Sequence, residues 1–300
     1  MNPQEEEKAP SGLPAAIAAY LIWGFLPLYL ILVQTVPAFE FVGWRIIWTL
    51  PICLVIVALR KQGPDLRAAL ADRQSLAILT ASATLIAVNW LVYIWAVQNH
   101  HLFAASLGYY INPLVNVLLG TLVLGERLNR RQWCAVALAA AGVALLLGGA
   151  LTTLWISLTL AFSFGTYGLL RKRVAVGSLP GLTIESAILL LPASGIALYY
   201  ALQPGGSSFG NDLWLSLAIV FGGVVTAVPL LLFAIAARRM DYSTMGFIQF
   251  LAPTIVFILG LTVFDEPLQP VQLACFVLIW AALAVFLYDL WSRSRAPKVV

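Results

Sequence analysis

The chain has 300 residues, of which 61% are apolar and only 10% charged, with a formal net charge of +4. A soluble globular domain carries roughly a quarter charged residues, so that class is excluded, and a mean hydropathy of +0.93 points to a chain made largely of membrane spans. The apolar runs are long and unalternated, the pattern of helical spans rather than the weak alternating segments of a β-barrel.

Residues 1–13 open acidic and polar (MNPQEEEKAPSG) without the basic n-region and cleavage site of a secretory signal, so a short cytoplasmic tail is expected. Apolar windows of about 20 residues, broken by Pro, Gly or charge, place spans near 14–33, 38–59, 75–97, 101–123, 130–148, 152–170, 181–202, 213–236, 242–263 and 269–289, with a basic tail at 290–300. In span 2 the run EFVGWRIIWTLP (Glu40 to Pro51) holds Arg45, a guanidinium that does not lose its proton and is expensive in hydrocarbon. Span 3 offers Asn89 and Tyr93 at i, i+4. In span 4 Ala105, Tyr109, Asn112 and Asn116 recur at helical spacing as one stripe, and Pro113 removes a backbone hydrogen bond at mid-span. Asn116 reads equally well as a contact between neighbouring helices. Span 7 carries Glu185, the one acidic residue placed clearly within a span, and span 9 carries Gln249. Span 2 enters from one side and span 7 from the other, which sets Arg45 and Glu185 roughly 10–15 Å apart along the membrane normal and argues against a direct bond between them.

Charge position orients the chain. The basic residues fall in the N-terminal tail, after spans 2, 4, 6 and 8, and in the C-terminal tail; of the 17, only Arg45 lies elsewhere. The positive-inside rule reads this as ten helices with both termini cytoplasmic. The same charges meet anionic lipid, so the basic balance needs no nucleic-acid partner. Cys53, Cys134 and Cys275 lie in apolar runs with neither disulfide nor metal spacing.

The chain also repeats. INPLVNVLLGTLVLGERL (Ile111–Leu128) aligns with LAPTIVFILGLTVFDEPL (Leu251–Leu268) at a shift of 140, matching Pro113 with Pro253, Gly120 with Gly260 and Glu126 with Glu266. A shift of 141 pairs Gly24 with Gly165 and Pro51 with Pro192. Two five-helix units, 14–148 and 152–289, are expected, and five being odd, the second enters the membrane inverted. The repeat matches Tyr109 with Gln249 and Asn89 with Pro229, so a cavity between the halves is pseudo-symmetric in shape but not in chemistry. The fold class is an all-α polytopic membrane protein of two inverted repeats.

The blocks GWRIIW, NWLVYIWAVQNH, SLGYYINPLVNVLLGTLVLGERL, SFGTYGLLRKR and LLLFAIAARRMDYSTMGFIQFLAPT, in that order, resemble the RarD-type permeases of the EamA group in the drug/metabolite transporter superfamily. The resemblance runs from about Pro14 to Asp289 and implies a ten-helix inner-membrane transporter of the type named for chloramphenicol sensitivity. Where the family block has His before the Arg, this chain has Trp44, so a proton role attached to that His does not carry over.

Together these features favour a bacterial inner-membrane secondary transporter working by alternating access, most simply an exporter of small amphipathic metabolites or drugs. Arg45, Asn89, Tyr93, Tyr109, Asn112, Glu185 and Gln249 are the candidate substrate contacts, with Arg45 anchoring an anionic or carbonyl-bearing group. A lipid scramblase or a non-transporting scaffold is the alternative. The sequence holds no Ser/His/Asp set, metal-ligand helix or phosphate loop, and His100 and His101 sit in an outer loop, so neither catalysis nor a cofactor is expected. The expected partners are a small-molecule substrate and membrane lipids, in a monomer or dimer.

Overall fold

The computed structural model describes residues 11–147, 151–265 and 267–295. Twelve α-helices occur among them: α1 (Leu13–Leu30, continued by a 3₁₀ turn at Ile31–Val33), α2 (Ala38–Leu59), α3 (Gly63–Ala71), α4 (Arg73–Gln98), α5 (Leu102–Leu124), α6 (Arg130–Leu147), α7 (Leu154–Arg173), α8 (Ser178–Ala201), α9 (Leu213–Arg239), α10 (Tyr242–Gln249), α11 (Leu251–Thr262) and α12 (Pro270–Arg295). No strand occurs among the described residues. Without water to satisfy amides in a bilayer, a chain this apolar must bond its backbone within helices. Nine spans, with α10 and α11 counted as one, are long and apolar enough to cross a membrane. The twenty-residue α7 is not among them, because Ser157, Ser163, Thr166 and the terminal Arg171–Arg173 dilute its hydropathy.

Two features depart from the expected layout. The loop after span 2 contains α3, which starts on Pro64 in its first turn and packs Leu66 and Ala69 against Leu79, Val174 and Ile184. Span 9 is broken at Phe250, where α10 ends and α11 begins. Pro253 has no N–H to give the carbonyl of Gln249 four residues earlier, so the helical ladder fails at that point.

Helix contacts exchange between the halves. Gly24 of α1 lies against Ile255 of α11, and its repeat mate Gly165 of α7 lies against Val115 of α5, the mate of Ile255. The pairing of α1 with α9 is likewise mirrored by that of α7 with α4, while α2–α8, α6–α12 and α5–α10 pair across the halves. One apolar core joins α1, α2, α4, α7, α8, α9 and α10, and a second binds α6 and α12 to α5 and α10. Small residues permit these approaches, as usual between helices in lipid. Gly43 meets the carbonyl of Ala193, and Gly246 meets that of Pro113.

The basic connections meet at one end of the bundle. Lys172 Nζ donates to the carbonyls of Ala237 (3.0 Å) and Met240 (2.7 Å), and Arg173 Nη2 to that of Val123 (2.7 Å). Arg238 donates to the carbonyls of Val174 and Val176, and Arg131 to Ser292 Oγ. Lys172 and Arg173 thus sit on the C-terminal carbonyls of α9 and α5, and Arg238 on the carbonyl that follows α7, where the helix dipole favours positive charge. At the opposite end Glu40, 1% exposed, accepts from Ser207 Oγ (2.6 Å), Ser208 N (2.7 Å), Ser208 Oγ (2.8 Å) and Trp44 Nε1 (3.2 Å). Glu40 therefore joins Glu185 as a carboxylate buried in a spanning helix. It ties α2 to the α8–α9 connection, and Phe209 of that connection stacks on Trp44 at 4.4 Å.

A Cβ at Gly223 of α9 would come within 2.7 Å of the Trp48 backbone carbon on α2, whereas one at Gly195 of α8 would meet nothing within 4 Å. Gly223→Ala is expected to destabilise the protein by about 1–3 kcal/mol through overpacking. Gly195→Ala is expected to be neutral or stabilising by up to about 1 kcal/mol through helix propensity. Thermal unfolding in detergent measures both.

Candidate functional site

A cavity of about 450 Å³ lies between the halves, and eight helices contribute to its lining. The lining begins near helix midpoints, at Trp23, Phe164, Thr226 and Gln249, and extends to Leu30, Ala38, Ile94, Ser106 and Val256. All of these positions lead away from the basic end. The size suits a drug-sized ligand, and the walls are mostly apolar with a few polar groups converging, as such sites usually are.

Six of the seven candidate contacts line this one cavity: Arg45, Asn89, Tyr93, Tyr109, Asn112 and Gln249. Arg45 sits on α2 with its guanidinium carbon 4.6 Å over the ring of Trp90, a cation–π arrangement. It forms no ion pair among the described residues, and its Nε is buried without a hydrogen-bond partner. Tyr93 and Tyr109 meet ring to ring at 5.8 Å. Asn112 is buried, with Oδ1 lacking a partner.

Asn89 and Gln249 are held by the fold while facing the cavity. Asn89 Nδ2 donates to the Leu160 carbonyl (2.8 Å) and to Ser163 Oγ (3.0 Å), pinning α4 to α7. Gln249 Oε1 accepts from Asn116 Nδ2 (2.6 Å) and Tyr20 OH (3.3 Å). Asn116 thus makes the interhelical contact open to it in the sequence, and with Tyr20 it holds Gln249 in the cavity wall from behind. Trp23 and Phe164 meet edge to face at 5.7 Å as part of the aromatic wall.

Glu185 does not line the cavity. It lies beside a small void of about 20 Å³, behind Trp90, Thr226 and Leu230, which border both spaces. It is 2% exposed. Its carboxylate accepts from Ser82 Oγ and from Tyr167 OH (3.5 Å), and Arg171 Nη1 stands 3.7 Å away. Arg171 is fully buried and also donates to the Ser178 carbonyl (2.8 Å). The three-residue basic run at the end of α7 hides this role. Successive helical residues point about 100° apart, so Lys172 and Arg173 reach neighbouring helix ends while Arg171 turns inward. Gly181 is the one local signal, since a Cβ there would overlap the guanidinium. Arg45 and Glu185 are therefore not partners, and Glu185 belongs to a structural ion pair.

Glu126 completes the picture at the basic end. Gly125, at φ +70°, ends α5 in the left-handed conformation that glycine adopts without strain. The next residue turns its carboxylate onto the start of α10, accepting from Tyr242 N (2.6 Å), Ser243 N (2.8 Å) and Ser243 Oγ (2.6 Å). Its repeat mate Glu266 lies outside the described residues. His100 is exposed and closes the α4–α5 turn at φ +61°. No group of three or more His, Cys, Asp or Glu side chains is placed to hold a metal among the described residues.

The family model described as the EamA-like transporter family matches residues 10–148. Protein RarD of Escherichia coli (strain K12) is 42% identical over 98% of this chain and 100% of its own length. An uncharacterized transporter of Pseudomonas aeruginosa is 43% identical over 96% of this chain and 97% of its own. A second protein of that organism, named chloramphenicol-sensitive protein RarD, is 31% identical over 95% of each chain. A solved crystal structure superposes with a TM-score of 0.71 at 20% identity, covering 92% of this chain and 98% of that one, and it shares the fold.

Removing one partner of the buried pair leaves the other charge uncompensated. Glu185→Ala is expected to destabilise the protein by about 3–5 kcal/mol, and replacing Arg171 and Glu185 together by apolar residues should recover most of that loss. Detergent-solubilised melting curves of the single and double variants measure it.

Proposed function

The chain belongs to the RarD-type EamA-like transporter family, and from that membership we propose that it works by alternating access across the bacterial inner membrane as an exporter of small amphipathic metabolites or drugs. It is a multi-pass integral membrane protein. The observation that carries the proposal is the one-sidedness of the cavity. Its lining runs from the bundle middle toward the end opposite the basic connections, while the basic end is shut by bonds between the halves. With the basic end cytoplasmic, as the positive-inside rule has it, and both termini on that side, this is the conformer closed inward. Two halves with interchangeable contacts offer a second arrangement in which the closed and open ends swap.

The inward closure rests on few bonds. Glu126 holds the first amides of α10 from the other half, Asn129 Nδ2 donates to the Asp289 carboxylate (2.8 Å), and Arg173 bonds the end of α5. Charge-assisted bonds to helix amides are each strong enough to hold a state yet few enough to break together. Relatives bearing the RarD name include one called chloramphenicol-sensitive, which supports a small amphipathic molecule as cargo.

Two measurements test this. Reconstituted vesicles should show saturable flux that rises with counter-substrate on the far side, whereas flux that never saturates would indicate a pore. Glu126→Gln should weaken the inward closure by about 1–2 kcal/mol, about 5–30-fold in the opening equilibrium. Amide hydrogen exchange across residues 242–249 should then speed up by that factor, and unchanged exchange would remove Glu126 from the closure.

A further inference from the structure

The cavity holds a charge that nothing in the fold neutralises. Arg45 makes neither an ion pair nor a hydrogen bond through its side chain among the described residues, and its Nε is buried and unpaired. The phenols of Tyr29, Tyr93 and Tyr109, all neutral groups, line the cavity with it. Among the described residues no Asp or Glu lines the cavity. The two carboxylates buried nearest to it are taken, Glu40 by Ser207, Ser208 and Trp44, and Glu185 by Ser82, Tyr167 and Arg171. On α5, three residues beyond Tyr109 and so ~4.5 Å deeper along the helix, Asn112 presents a buried Oδ1 that also lacks a partner. One orphaned cationic donor and one orphaned neutral acceptor thus face the same space, beside the rings of Trp23, Trp90 and Phe164.

We propose that the ligand of this cavity is an organic monoanion: its acid group sits on Arg45, its flat apolar body lies along the aromatic wall, and a neutral N–H or O–H donates to Asn112. This rests on the transporter reading of the same cavity and narrows its cargo by charge. A cation would add a second positive charge beside a guanidinium with no carboxylate to balance either. A zwitterion leaves the cavity at a net charge of one, and its ammonium finds only the neutral oxygen of Asn112. A neutral molecule leaves Arg45 uncompensated. A monoanion alone brings the site to neutrality when it closes around its ligand, the condition under which a charge withdrawn from water is tolerated. Outward movement of a monoanion is also favoured by a negative-inside potential, by about 50-fold in gradient per 100 mV.

Four probes with one ring and different charge test this on the full-length protein: N-acetyltyrosine (anion), N-acetyltyrosinamide (neutral), tyrosine (zwitterion) and tyrosine methyl ester (cation). Binding to the detergent-solubilised protein is expected to be at least 10-fold tighter for N-acetyltyrosine than for the amide or the ester, with tyrosine between. Arg45→Gln should erase that preference by weakening the anion at least 10-fold more than the amide, and Arg45→Lys should keep its direction. Equal binding of amide and anion by the unmodified protein, tighter binding of the ester, or no binding of any probe overturns the assignment. So does an Arg45→Gln variant of unchanged melting temperature that keeps the preference. Saturable vesicle flux of the amide or ester at the rate of the anion would leave the transporter reading standing and sink this one. Arg45-dependent binding of N-acetyltyrosine without vesicle flux would do the reverse.

Discussion

Charge is scarce in this protein, and the cost of holding it away from water accounts for most of its organisation. A charge inside a low-dielectric bundle must be paired, or bonded to several dipoles, or kept at an end. The cations of the α7 and α9 termini satisfy the last condition and use it twice, since the same side chains cap helix carbonyls and lock neighbouring helices together. Glu40 satisfies the second with four hydrogen bonds from serines and an indole. Arg171 and Glu185 satisfy the first, fully withdrawn from the surface and supported by Ser82, Tyr167 and the Ser178 carbonyl. Arg45 satisfies none of the three. That exception is what the proposed ligand would answer.

The halves are alike in how they pack and unlike in what they present. Gly24 and Gly165 receive Ile255 and Val115 in equivalent contacts, because a glycine on one helix leaves room for a β-branched side chain of the other and lets the two helices approach closely. The proline pair, Pro113 and Pro253, behaves less evenly. α5 passes through Pro113 as one helix, whereas the equivalent segment breaks at Phe250, beside Gln249 in the cavity wall. Gln249 occupies the position matched to Tyr109, so an amide engaged by Asn116 and Tyr20 faces a phenol across the site. The halves are thus symmetric in packing and asymmetric in the chemistry they bring to the cavity.

The helices were legible in the sequence because hydropathy over about 20 residues is a strong signal, and the clustering of basic connections at one end followed from charge counting alone. α3 was not, since a nine-residue helix leaves too short a pattern to read inside a charged loop. Around the cavity, polar residues at helical spacing announced which face of α4 and α5 points inward, and Arg45 announced itself as an isolated cation. The acidic residues were harder. Glu185 read as exposed to a path because its partner Arg171 was hidden within a basic run that looked like a membrane anchor. Glu40 sat at the edge of its span, where a carboxylate ordinarily reaches water. In both cases the deciding partner is distant in the chain, 14 residues away for Arg171 and 167 for Ser207, and periodicity carries no information about such pairs.

Trp44 shows how far local substitution can be absorbed. The RarD-type block places a histidine before the arginine, and here an indole donates to Glu40 and Ser207 and stacks on Phe209. An indole is a donor that does not titrate in the physiological range, so the neighbour of Arg45 in this chain is fixed in charge. Any change in the electrostatics of the outer cavity must then come from what enters it, because the phenols around Arg45 are neutral and the buried carboxylates are already bonded elsewhere. Among the described residues the cavity thus presents one permanent cation in a lining of otherwise neutral side chains, so the proposed monoanion would meet a single fixed charge.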